Sequence, residues 1–227
     1  MTTRHTPYFN LLEALAEPGC GLCLLGHKAI DRFFDNMLYE YVNDPGTQEM
    51  MTAAHGLCAS HSNLLLGYRG ALGVAILYNA VLRRLENELP LPQNRDSAPV
   101  RRFFASRADP PSISSAACPA CVTRDEAAVR AIREFDAHCN EPELVAAWQS
   151  GDGFCLPHLN QALSKIGRPA QALVVARQRE VWARLRVDLE EFIRKNDYRF
   201  QGEDFTDGER RSWQDAVRAT AGAPGVF

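Results

Sequence analysis

Apolar residues recur at intervals of three and four along nearly the whole chain, and no alternating run of strand type competes with them. Between Cys23 and Asn43 the series Leu24, Ile30, Phe33, Phe34, Met37, Leu38 and Tyr41 marks one helix face, and "NDPG" then stops the helix. From Ala71 to Leu89 the positions Val74, Leu77, Val81, Leu85 and Leu89 form a second stripe, with Arg84, Glu86 and Asn87 off it. From Pro169 to Lys195 the residues Val174, Val181, Leu185, Leu189 and Phe192 form a third. Such stripes are the core-facing sides of amphipathic helices, so the predicted fold class is all-α.

The pattern breaks twice. Pro90 to Ala117 holds five of the thirteen prolines together with Ser, Asp and Asn, which makes it a linker. Its "RRFF", Arg101 to Phe104, is expected to dock on the protein's own surface, because adjacent phenylalanines rarely stay solvated. After Asn196 a tail follows in which Trp213 and Val217, four apart on a short helix, are expected to anchor the segment on the bundle or on a second subunit. The expected organisation is a first helical unit over 1–89, a linker over 90–117, a second helical unit over 118–196 and a tail over 197–227. The two units are expected in tandem, packed as one bundle-like domain or as two small ones.

The cysteines change this picture from a plain bundle to a metal protein. Six of the seven fall, with two histidines, into four short pairs: "CGLC" (Cys20, Cys23), "CASH" (Cys58, His61), "CPAC" (Cys118, Cys121) and "CLPH" (Cys155, His158). Cys20 and Cys58 are 38 residues apart, and Cys118 and Cys155 are 37 apart. "NDP" at Asn43 and "NEP" at Asn140 each place proline 13 residues before the third cysteine. The agreement points to a duplicated unit whose one-residue difference lies upstream of the proline turn.

Three thiolates and an imidazole suit tetrahedral zinc and fill its shell, which leaves no position for a hydrolytic water. Two Zn²⁺ ions per chain are therefore expected, with an iron-sulfur cluster as the alternative. A helix of about 19 residues from Cys23 runs roughly 29 Å, and a shorter helix with an extended connection can return a similar distance. On that geometry each site closes inside its own copy: Cys20, Cys23, Cys58 and His61 on one ion, Cys118, Cys121, Cys155 and His158 on the other.

The remaining candidates are weaker. Cys139 aligns with Val42 and reads as a small buried apolar residue. His27 and His55 stand where the second copy has Asp125 and Asp152, and are expected on the surface or behind a ligand. His5 and His138 carry no supporting pattern. The run Gly67, Gly70, Gly73 follows no strand and matches neither phosphate-binding fingerprint, so close helix packing or a kink explains it better. No hydrolase elbow or zinc-protease motif appears, and no catalytic residue is assigned.

Charge adds little. With 25 basic against 28 acidic side chains the net charge is -3, which gives no global pull toward nucleic acid or an anionic membrane. No apolar run approaches the roughly 20 residues that span a bilayer, and the first residues lack a signal-peptide pattern. The expected compartment is cytoplasmic, where short-spaced cysteines are ligands more often than disulfides.

The stretches "GCGLC", "LYEYVNDPG", "GLCASH", "LGVAILY", "CPAC", "GFCLPH" and the closing "DYRF…SW..AV" together resemble an uncharacterised prokaryotic family built on a duplicated Cys-x-x-Cys and Cys-x-x-His frame. The resemblance covers nearly the whole chain and implies the same eight ligand positions. It implies no activity. The expected function is a zinc-stabilised helical protein-interaction module, binding a protein partner or itself through the tail around Tyr198, Phe200, Phe205 and Trp213. The alternative is a redox protein working through clusters or metal-bound thiolates.

Overall fold

The computed structural model describes residues 5–89, 116–200 and 202–226. Among them every regular element is helical. The order is α1 (Thr6–Ala16), α2 (Gly21–Asp35) running into a π turn (Asn36–Glu40), α3 (Pro45–Ala53), α4 (Ala59–Leu65) and α5 (Ala71–Glu88). Then come α6 (Pro119–His138), α7 (Pro142–Ser150), α8 (Leu156–Leu163), α9 (Arg168–Lys195), a 3₁₀ turn (Tyr198–Phe200) and α10 (Asp207–Ala221). The all-α expectation holds. The "RRFF" segment and all of the expected linker up to residue 115 lie outside the described residues.

The series long, short, short, long occurs twice, as α2–α5 and as α6–α9. The prolines of "NDP" and "NEP" open α3 and α7, where a missing N–H costs nothing. Asp44 caps α3 by accepting from the Thr47 amide at 2.8 Å. The extra residue of the first copy falls where α2 widens into its π turn, closed by the Tyr41 amide donating to the Asn36 carbonyl five residues back. A π turn takes up more residues than an α turn, so the helix absorbs the insertion without losing its axis.

The chain divides into two compact units, one made of Met1–Phe33 with Ala120–Phe227, the other of Phe34–Pro119. The seams fall inside α2 and in the first turn of α6, both unbroken helices.

In the first unit Tyr8, Leu11 and Leu15 of α1 share a core with Leu22, Ile132, Leu144, Leu159 and Val174. At its centre the rings of Phe135, Trp148 and Phe154 meet at centroid distances of 4.6 to 5.9 Å, with Trp148 Nε1 donating to the Leu173 carbonyl. Helix α1 was not anticipated, although Pro7 in its first turn and Tyr8, Leu11, Leu12 and Leu15 at helical spacing mark it.

Helix α10 folds back on α9, as the tail was expected to do, but through other residues. Glu209 and Ser212 face inward, and Glu209 pairs with Lys195 at 2.7 Å. The helix is started by a Thr206–Glu209 capping box, while Phe205 stacks on Phe192. Trp213 and Val217 point outward, 51% and 59% exposed, and are not the anchor.

The second unit buries Phe34, Met37, Leu38, Met51, Leu65, Leu77 and Val81. Gly73 explains part of the glycine run: a Cβ there would stand 2.9 Å from the Leu38 carbonyl oxygen, so only glycine lets α5 press on the π turn.

Candidate metal centres

Each Cys-x-x-Cys and each Cys-x-x-His sits on the start of a helix. Cys20 precedes α2 and Cys23 lies in its first turn; Cys118 and Cys121 hold the same places on α6. Cys58 and Cys155 are the N-caps of α4 and α8, with His61 and His158 three residues on. Residues three apart share a helix face, so both members of a pair aim at one point. The free amides and the positive dipole end of each first turn favour the thiolate form.

The structure brings the eight side chains into two groups, and the pairing crosses the copies. Cys20 and Cys23 meet Cys155 and His158, whereas Cys58 and His61 meet Cys118 and Cys121, with the ligand atoms of each group all within 4.8 Å of one another. This overturns the expectation that each site closes inside its own copy. The reason lies in the connection after the short helix. Gly21 through Glu40 carries the chain outward by about 30 Å, and nine residues of α3 return only about 14 Å. The following residues were expected to extend and cover the rest. Instead they reverse at once: the Gly56 amide donates to the Met51 carbonyl, and His55 and Gly56 take φ values of 54° and 90°. The first copy thus lacks the extended piece on which closure within that copy was expected to depend.

In the first group the Nδ1 of His158 lies 3.5 Å from Cys20 Sγ, 3.4 Å from Cys23 Sγ and 3.3 Å from Cys155 Sγ, and the sulfurs of Cys23 and Cys155 are 3.6 Å apart. In the second group His61 Nδ1 lies 3.2 Å from Cys58 Sγ and 3.7 Å from Cys118 Sγ.

The loops that deliver the first group are tied to each other. The Gly19 amide donates to Asp152 Oδ2 at 2.9 Å, joining the approach to Cys20 with the approach to Cys155. Gln178 on α9 is buried and accepts from the Phe154 amide at 2.9 Å. Gly153, with φ 76°, makes room for that side chain, since a Cβ would stand 2.7 Å from its Oε1. Gln178 was not singled out from the sequence, and Asp152 was noted there only as the counterpart of His55. Asp152, just ahead of "GFC", is the more legible, because aspartate in a glycine turn readily accepts a backbone amide.

A family profile for a family of unknown function, DUF6062, matches residues 9–223, a span that includes both groups. The chain belongs to that family. This DUF6062 chain is also 28% identical over 224 residues, 93% of its own length and 99% of the relative's, to an uncharacterized 23.9 kDa protein from the xynA 3' region of Caldicellulosiruptor sp. (strain Rt8B.4). No solved structure matches it. The uncharacterised family expected from the motifs is thereby found.

The remaining candidates of the DUF6062 chain belong to neither group. His55 Nε2 pairs with Glu88 at 2.7 Å, and His27 lies half-buried beside Gly225. Cys139 joins the apolar core of the first unit, as a small buried residue would. His5 lies 3.7 Å from Glu134, and His138 is buried against Tyr8, with Nδ1 2.7 Å from Glu141. His138 ends α6 and Glu141 is the N-cap residue of α7, and the turn closed by the Glu141 amide donating to the His138 carbonyl brings the two side chains together.

Electrostatics explain what the first group favours. Hydrogen bonds from Cys155 and then Cys23 hold the Cys20 thiol well below its ordinary range. The same sharing pushes Cys155 up to about 12, first through its hydrogen bond with Cys20, and pushes Cys23 higher still, first through Cys155. Shared hydrogen bonds and burial thus favour the thiolate at Cys20 and oppose it at Cys23 and Cys155. A divalent ion lets all three ionise, which is the chemistry of a metal site.

Proposed function

We propose that this DUF6062 chain binds two zinc ions, one in each Cys₃His group, and that both ions serve structure. The observation that carries the reading is the spacing of the donors. A tetrahedral zinc with Zn–S near 2.3 Å and Zn–N near 2.0–2.1 Å sets S···S edges of about 3.8 Å and S···N edges of about 3.6 Å. The first group, with 3.6 Å between sulfurs and 3.3 to 3.5 Å from sulfur to nitrogen, already fits that figure. A multi-iron cluster places its ligands on different irons and so holds them farther apart, which argues against the iron-sulfur alternative. Elemental analysis of protein purified without chelator tests this. About two zinc equivalents and no visible absorption are expected, and iron with a reversible visible spectrum would replace zinc by redox chemistry.

The ions would act by fixing helix starts. A shell of three sulfurs and one nitrogen is closed, so zinc offers no vacancy to a substrate, and its effect passes through the shape it holds. The repeated helix order, with the π turn absorbing the extra residue, supports an internal duplication whose two halves closed their metal sites on each other.

The remaining part of the reading is a non-catalytic interaction module. Tyr198, Trp213 and Val217 are exposed and carry the proposed contact, whereas Phe205 stacks on Phe192 and Phe200 lies under Arg194. The proposed partner is a protein or a second copy, not nucleic acid, given the slight negative charge. Among the described residues no helix is long and apolar enough to cross a membrane. A cytoplasmic setting is proposed with it, since six of the seven cysteines gather with histidines in the two groups, a use of thiols suited to a reducing compartment. Replacing Trp213 and Val217 together by serine, with sedimentation of the intact and altered chains and isolation of co-purifying proteins, tests the surface. Unchanged association and unchanged partners would remove it.

A further inference from the structure

The residues after α10 close over the first group. Ala223, Pro224, Gly225 and Val226 form a turn in which the Val226 amide donates to the Ala223 carbonyl at 3.2 Å. Proline in the second place and glycine with φ 75° in the third are the requirements of a type II turn. "APGV" therefore codes the turn locally. It sets Val226, completely buried, against the side chains of Cys23 and Cys155, with Ala223 and Cys20 at the margin. The Ala223 amide points at Cys23 Sγ, 3.5 Å away. Arg124 on α6 holds the far end by donating to the Val226 carbonyl, while its charge is met by Asp125 at 2.7 Å.

The charge balance gives this cover a task. Zinc with three thiolates and one neutral imidazole carries one net negative charge, and a buried charge needs hydrogen bonds in place of water. The starts of α2 and α8 supply part of that compensation. The Ala223 N–H supplies a further donor aimed at a sulfur, and Val226 excludes the water, chelator or oxidant that would otherwise compete for it.

We infer that the Ala223–Val226 turn is a lid built onto the first centre, and that it sets how fast thiol reagents and chelators reach the Cys20, Cys23 and Cys155 sulfurs. The inference rests on the metal reading above. A closed lid retains the ion; displacement of the lid by a partner or by local opening exposes a thiolate cluster to exchange.

The test uses the full chain loaded with cadmium, whose two sites are resolved by ¹¹³Cd resonance. Metal content is measured first: fewer than about two equivalents would sink the metal reading itself. With both sites filled, a scalar coupling between the Ala223 amide proton and one cadmium is expected through the N–H···S bond. Ala223→Pro removes that donor and sets its ring Cδ where the N–H pointed at Cys23, so it should speed release of the first-site ion to a chelator by at least about fivefold to tenfold, the worth of one such bond. Val226→Asp should speed it further, and Arg124→Gln less. Release of the second-site ion should stay unchanged in each, which separates a lid from general loosening. First-site release at the native rate in both Ala223→Pro and Val226→Asp, with two ions still bound, would overturn the lid and leave the metal reading standing.

Discussion

The two centres use the same donors on the same kind of scaffold, yet they are enclosed differently. In the first, Cys23, Cys155 and His158 are each 2% exposed; in the second only His61, at 1%, is buried, and its three cysteines are half-buried. Donor chemistry decides which ion is held, and that is common to both. Enclosure decides how readily anything else reaches the sulfurs, and there they part. A duplicated motif therefore need not mean a duplicated role: on the zinc reading proposed above, the more enclosed first group is expected to retain its ion longer than the second.

The largest effect breaks the comparison at its root, which is the crossed pairing. The double variant Cys20→Ser/Cys155→Ser should lose no more metal than either single change, about one equivalent, because both residues serve one ion. Cys20→Ser/Cys58→Ser should lose both ions. Mass spectrometry under native conditions reads the difference, and the reverse pattern would restore closure within each copy.

The second prediction sharpens the contrast in enclosure. Chelator added to the native chain should remove metal in two phases at least about tenfold apart, a barrier difference of ~1.4 kcal/mol. The fast phase should vanish in Cys118→Ser/Cys121→Ser and the slow phase in Cys20→Ser/Cys23→Ser. A single phase would make the centres kinetically equal.

Third, Trp148→Ala should destabilise the first unit by about 3–5 kcal/mol, because the ring is fully buried between Phe135 and Phe154. It should speed loss of the first ion and leave the second alone, as read by denaturant unfolding with metal release in parallel. Equal effects on both centres would show that they are not independently supported.

The smallest effect concerns the α9–α10 contact. Lys195, first, and the Thr206 amide hold the Glu209 carboxyl below its ordinary value. A group with a lowered folded pKa contributes stability that is present above its unfolded pKa, near 4.3, and is lost as pH falls through the folded value. Glu209→Gln should therefore lower stability at neutral pH and remove that part of the acid dependence, as followed by thermal unfolding from pH 7 downward. An unchanged acid profile would assign the pair no net contribution.

What the sequence disclosed and what it withheld divide along physical lines. Most of the longer helices after α1, and the short-spaced Cys and His pairs that the structure gathers, were legible, because periodicity and short spacings are local properties. The partnership between pairs was not. It turns on the path of the short connections ahead of Cys58 and Cys155, and a reversal such as that carried by His55 and Gly56 in the first leaves little mark on composition. The stripe of Trp213 and Val217 misled for a related reason. Hydrophobicity selected them as the buried face, whereas the Thr206–Glu209 cap and the Lys195 ion pair turned the polar side of α10 inward. The "APGV" turn was readable all along, but nothing in its residues names the cysteines it covers.

Crossed pairing also makes the loops closed by the two Cys/His groups nested rather than sequential. His61 and Cys118 are 57 residues apart, whereas Cys23 and Cys155 are 132 apart and Ala223 follows Cys23 by 200. At roughly 5–20 residues per second of synthesis, Cys20 and Cys23 wait roughly 7 to 26 s after they are made before their partners exist. The inner loop can be sealed in that interval, the outer one only later, and the covering turn last. Biosynthesis thus imposes an order of assembly, in which the more sheltered group is the one completed second and the earliest-made thiols wait longest for their partners.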